Sequence, residues 1–206
     1  VLEASNEMFS AGTPSSSVKY RLPSCLCSAH DHAAKDFREV HSLGRVPALR
    51  TDDGDILTEN AAILQHVAEV FPKANLAPTD SRGRARLQQW LCFIGTELHK
   101  ALFVPLLEEK APEAAKAYAL EKGASWLDFL EKPLTGREFL LDRFSVADAY
   151  LFTVLNWCVV TPVDLEKWPA INAYVARLRE RPSIVTAFAE EAKLYAEELK
   201  RHQAAA

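Results

Sequence analysis

Gly44-Arg45-Val46-Pro47-Ala48-Leu49-Arg50-Thr51-Asp52-Asp53-Gly54-Asp55-Ile56-Leu57-Thr58-Glu59-Asn60 is the stretch on which the reading of the fold turns. Residues 45–50 form a short β-like run, 51–55 carry turn chemistry, and 56–58 resume the extended pattern. Together they read as an antiparallel hairpin. Pro47 has no backbone N–H and belongs at a sheet edge or in a special bond. From Glu59 to Phe71 the apolar residues Ile63, Leu64, Val67 and Val70 fall at helical spacing. Pro72 ends that helix, and residues 71–78 read as a linker.

Beyond residue 72 nearly everything has helical periodicity. Leu87, Leu91, Ile94, Leu98 and Leu102 make one apolar stripe on a long helix between Ser81 and Leu107. Pro112 suits a first helical turn, and the stretch to Leu130 is rich in helix formers. Ser145-Val146-Ala147-Asp148 is a capping box with Asp in place of the usual Glu, and Phe144 and Ala149 offer a weak hydrophobic staple across it. The body that follows, Tyr150 to Trp157, is apolar almost all round, as suits a helix at the centre of an all-α domain. Two more helices are expected at about 169–181 and 183–200. Trp90, Phe152 and Trp157 read as core, and Cys92 and Cys158 as small core residues. The organisation is α/β plus all-α: a small β-containing domain over residues 1–73, then an all-helical domain over 80–206.

Composition excludes several classes. With 206 residues, 49% hydrophobic and 25% charged, the chain has the profile of a soluble globular protein. A net charge of −4 carries no basic excess and argues against a nucleic-acid partner. Charges interrupt the apolar stretches, so no membrane span is expected, and residues 1–30 lack a secretory pattern. Four Cys are too few for a disulfide scaffold and point to a reducing, cytoplasmic compartment. Cys25, Cys27, His30 and His32 lie close together, but their spacings are tighter than the usual zinc pattern and no distant second pair completes a tetrahedron, so no metal site is assigned.

Three motifs in order, residues 44–63, Trp90 to Lys100 and Phe144 to Phe152, resemble cytosolic glutathione transferases, the bacterial beta class in particular. The resemblance runs from about Asp36 to Arg181. It implies a thioredoxin-like N-terminal domain followed by a helical glutathione transferase domain. It also implies a homodimer, glutathione as cosubstrate, and conjugation of its thiolate to a small electrophile. Chemistry at the motif agrees. A cis bond before Pro47 leaves the Val46 N–H and C=O free to pair with a tripeptide, at little cost for an X–Pro bond. The helix start at Glu59 and Asn60 offers unpaired N–H groups and a positive dipole end to a carboxylate, and Glu59 can meet an ammonium. Thr58, Glu59 and Asn60 are also ordinary helix-start residues, so a plain capped helix is the bland reading. In beta-like relatives a His at the position of His99 approaches the thiol, where it can polarise or protonate the sulfur; a helix-surface His with no task is the alternative.

The first 35 residues depart from the family pattern of a strand followed by a Pro-Gly-x-Cys turn. Aligned without gaps on Gly12, the catalytic Cys position falls on Pro14. In a second alignment, Val1 to Ser5 match the end of the first helix, and the strand and turn are missing from this chain, leaving the thioredoxin-like domain incomplete. Asn60 stands where the family has Ser or Gly, and Cys92 where relatives often carry Asn. Ser15, and after it Ser10, are the hydroxyls that could donate to a bound thiolate. Two other functions stay open: a non-catalytic glutathione-binding or protein-interaction member, and a glutathione thiol transferase or peroxidase working through Cys25 or Cys27.

Overall fold

The computed structural model describes residues 38 and 40–205. Strand β1 (Ala48–Arg50) pairs antiparallel with β2 (Ile56–Thr58), Leu49 facing Leu57 across the ladder. Thr51 closes the turn: its N–H donates to the Asp55 carbonyl at 2.9 Å, and its carbonyl accepts from Gly54 N–H at 3.0 Å. Gly54 has φ +95°, a left-handed conformation that glycine adopts without a Cβ clash. Helix α1 (Asn60–Val70) follows at once. Ile63, Leu64 and Val67 are buried as the spacing predicts, but Val70 is 45% exposed, because the helix ends there and its last turn faces outward. The linker is not wholly irregular, since Pro72–Ala74 form a 3₁₀ turn.

A near-continuous helical rod comes next, made of α2 (Ser81–Phe93), a π-helical segment (Ile94–Phe103) and α3 (Val104–Leu107). Its five-leucine-and-isoleucine stripe is buried, from Leu87 to Leu102. By length and composition this rod is apolar enough to cross a membrane, with Glu97 and Lys100 the charges in its apolar half. Those two charges are the interruption that the sequence leads one to expect. The stripe is instead covered by α4 (Glu113–Leu134) and α5 (Val146–Leu155), which pack on the π segment. The sequence stopped α4 at Leu130; it continues through Pro133.

Helix α5 is buried at every position from Val146 to Leu155, as its all-round apolar composition requires. Trp90, Phe152 and Trp157 are core residues too. Cys92 is not: it is exposed, and its sulfur accepts from Gln88 Nε2 at 3.2 Å, so its reading as a core residue is corrected. Cys158 is partly buried, and burial pushes its thiol up to about 12. The last helices are α6 (Pro169–Arg179) and α7 (Pro182–Ala205), two residues shorter and several longer than expected. Glu131 of α4 caps α6, its carboxylate accepting from Ala170 N–H at 2.8 Å and Ile171 N–H at 3.0 Å.

The chain packs as two compact units. One holds the hairpin, α1 as far as Val67, and α7 from Arg181; the other spans Ala68–Glu180. This grouping differs from the 1–73 and 80–206 division in placing α7 with the hairpin.

Candidate active site

The hairpin opens toward Val46-Pro47 on one strand and Glu59-Asn60 on the other. Ala48 pairs with Thr58, so the next residues along each strand meet at the same end of the ladder. The Val46–Pro47 peptide is cis. Glu59 has φ +70°, a left-handed conformation that costs a residue with a Cβ about 1–2 kcal/mol and that packing elsewhere must sustain. Its carbonyl accepts from Ala62 N–H at 3.1 Å and Ile63 N–H at 3.0 Å, which starts α1. The first N–H groups of α1 have no intrahelical acceptor and point out of the helix start with the positive end of its dipole. Val46, Pro47 and Asn60 are half-buried, and Glu59 is exposed. Four of the expected binding residues are therefore brought together, with backbone donors and an acidic side chain side by side.

His99 belongs to the helical unit. It lies in the π segment, where the wider winding lets the Val104 N–H reach back to the His99 carbonyl. Such widened turns are frequent where a helix carries a functional side chain. His99 is 7% exposed, which removes the alternative of a surface His with no task. Its Nδ1 lies 2.8 Å from the Tyr150 hydroxyl of α5, and the Trp157 ring stands edge-on with centroids 5.0 Å apart. Burial, helped by the neighbouring Lys100 charge, lowers the imidazole to about 4. At neutral pH the ring is therefore uncharged. Tyr150 was read from sequence only as part of an apolar helix body; it is far from His99 along the chain, and no local pattern announces the pair.

Asp148 does more than cap α5. Its Oδ2 accepts from Ser145 N–H at 2.9 Å and Ser145 Oγ–H at 2.8 Å, completing the expected capping box. Its Oδ1 accepts from Leu140 N–H at 2.8 Å and Tyr174 O–H at 3.0 Å. Burial raises its carboxyl, and these donors oppose the rise. Ser10, Ser15 and the Cys25–His32 cluster lie outside the described residues.

Comparison with known proteins places these features. The family profile "Glutathione S-transferase, N-terminal domain" matches residues 18–70, and "Glutathione S-transferase, C-terminal domain" matches 93–182. Glutathione S-transferase GstA of Escherichia coli O157:H7 is 39% identical over 158 residues, 76% of this chain and 78% of that protein. The chain belongs to the glutathione S-transferase family. A sphingomonad glutathione S-transferase solved in complex with glutathione superposes with a TM-score of 0.80 at 36% identity, covering 92% of each chain. The beta-class glutathione S-transferase of Sphingomonas chungbukensis gives 0.79 at 36% identity, again over 92% of each. The fold of this transferase is thus a thioredoxin-like N-terminal domain with a helical C-terminal domain, of bacterial beta-class type. The N-terminal profile begins at residue 18, so Ser10 and Ser15 fall outside the matched segment as well.

Proposed function

We propose that this transferase binds glutathione at the open end of the hairpin and conjugates its sulfur to electrophilic small molecules. The observation that carries the reading is the juxtaposition of Val46-Pro47 with left-handed Glu59 and the start of α1 at one end of the ladder. In this reading the Val46 backbone pairs with the tripeptide backbone. The N–H groups around Asn60 receive the γ-glutamyl carboxylate, and Glu59 meets its ammonium. The family relationship and the glutathione held by the sphingomonad relative support the choice of cosubstrate.

The chemical step needs a thiolate. Glutathione loses its thiol proton to solvent or base, the sulfur lone pair forms a C–S bond, and the electrophile's leaving group or π pair takes the displaced electrons. Depressing a thiol by about two units corresponds to about 2.7 kcal/mol of stabilisation. His99, Ser15 and Ser10 are our candidates to supply it. If the Tyr150 hydroxyl donates to Nδ1, the proton of neutral His99 sits on Nε2, from which in this reading it donates to the sulfur. We also propose a homodimeric, cytoplasmic protein acting in detoxification, with domains at 1–73 and 80–206; the two family profiles fall within those bounds.

Calorimetric titration with glutathione, followed on the same sample by ultraviolet absorbance of bound thiolate, tests the reading. Saturable binding with a thiolate signal at neutral pH is expected. Binding without that signal favours a ligand-holding relative that does not activate the thiol, and no binding removes the assignment.

A further inference from the structure

The helical unit contains a cleft of about 520 Å³ that the proposed conjugation does not use. Four exposed arginines line it, Arg82 and Arg86 of α2 and Arg137 and Arg143 of the α4–α5 loop. Two carboxylates, Asp80 and Asp142, share the lining. Asp80 is already engaged as the cap of α2, accepting from Gly83 N–H at 2.8 Å. Among the described residues none of the four arginines forms an ion pair. A local excess of positive charge thus lines one concavity of a protein whose net charge is −4.

The frame around these arginines is rigid. The α4–α5 loop is tied to the core where Leu140 N–H and both Ser145 donors reach buried Asp148. Arg177 clamps the same loop from α6, its Nη2 donating to the Arg137 carbonyl at 3.2 Å and the Glu138 carbonyl at 2.7 Å. On the opposite wall, Val146 N–H donates to the Leu76 carbonyl at 2.9 Å, which fixes the chain entering α2. Gly83 must be glycine for this wall to close, because a Cβ there would lie 2.5 Å from Pro78 Cβ and 2.7 Å from Asp80 Oδ2. Convex surfaces let like charges splay into water; a fixed concavity holds them together, and their mutual repulsion is relieved by a multivalent anion. Guanidinium forks match phosphate oxygens in geometry as well as charge.

We propose that this cleft is a binding site for a soluble polyphosphate or phosphate ester, held by Arg82, Arg86, Arg137 and Arg143. None of these residues belongs to the proposed glutathione site, so the two assignments stand or fall separately.

Titration of the full chain with inorganic pyrophosphate, and in parallel with ADP, tests the proposal. Saturation at one site per chain is expected, with affinity falling as potassium chloride is raised. Arg86→Gln combined with Arg143→Gln should weaken binding about tenfold or more. Asp142→Asn should tighten it, a gain that misfolding cannot imitate. ADP binding more tightly than pyrophosphate identifies a nucleotide as the ligand class, and equal affinities identify the phosphate chain alone. Absence of saturable binding to either probe, or affinities unmoved by both sets of substitutions, overturns the site.

Discussion

Glu59 and Asp148 are both carboxylates at helix starts, yet they are asked to do opposite things. Glu59 is exposed and held in a left-handed backbone, and in our proposal its side chain meets a ligand. Glu59→Ala should weaken glutathione binding by about 1.5–3 kcal/mol, the range for a hydrogen bond to a charged group, with little change in unfolding free energy. Calorimetry against urea unfolding separates the two, and an unchanged affinity removes Glu59 from the site. Asp148 is fully buried and satisfies four donors. Asp148→Ala would leave the Leu140 and Ser145 N–H groups and the Tyr174 hydroxyl without their acceptor. A loss of about 3–5 kcal/mol in urea unfolding is expected, since several buried partners are stranded together. Tyr174→Phe removes only one donor and should cost about 1 kcal/mol. If both substitutions cost the same, the network does not act through the carboxylate.

At the scale of elements, the π segment and α4 show how closely two helices can approach. Gly123 of α4 is buried, and a Cβ there would fall 2.4 Å from Leu102 Cδ1 and 3.2 Å from Leu102 Cγ. Leu102 is itself 1% exposed and has little room to turn away. Gly123→Ala should therefore destabilise by about 1–2 kcal/mol, the overpacking cost exceeding the roughly 1 kcal/mol gained in helix propensity. Equilibrium unfolding checks the sign, and a stabilised variant would mean that Leu102 yields freely. The elements themselves were largely legible. The Asp-Asp-Gly-Asp turn, the Leu87-to-Leu102 stripe and the Ser145–Asp148 box each write a local rule into the chain. Periodicity names a face but not where a helix stops presenting it, which is why Val70 and Cys92 were misplaced. Widening to a π-helix leaves the leucine stripe looking like an α-helix. The Glu131 cap of α6, the Tyr150–His99 bond and the upper donors to Asp148 join residues distant in sequence, and nothing local foretells such partners. The hairpin end that we propose as the glutathione site was placed by its motif, whereas the environment of His99 and the arginine cleft required the tertiary structure.

For the whole molecule, the buried titratable groups set how stability follows pH, and their signs differ. His99 is lowered from 6.5 to about 4 by burial and by Lys100. The unfolded chain therefore binds this proton more tightly than the native one. His99 contributes stability that is full above pH 6.5 and lost as pH falls toward 4, by about 3–4 kcal/mol at most. Asp148 is raised by burial, so its contribution is full below the unfolded value of 3.8 and declines as pH rises through its native value. Cys158 and Tyr174, also raised by burial, behave in the same way on the alkaline side. Asp53 is held low first by the Thr51 hydroxyl and Asp80 by the Gly83 N–H, and both act only as pH falls below 3.8. In the window from about pH 4 to 6.5, His99 and Asp148 thus oppose each other; the Lys100 charge reinforces the effect of burial on His99, whereas the donors around Asp148 counter its rise, so His99 dominates. Unfolding free energy measured in urea should rise from pH 4.5 to 7 and then level off. In His99→Gln, where an amide replaces the imidazole, that rise should flatten or reverse, because only the Asp148 contribution is left. An acid limb of unchanged slope in the variant would show that another group carries the proton uptake, and that His99 is not held neutral by its surroundings.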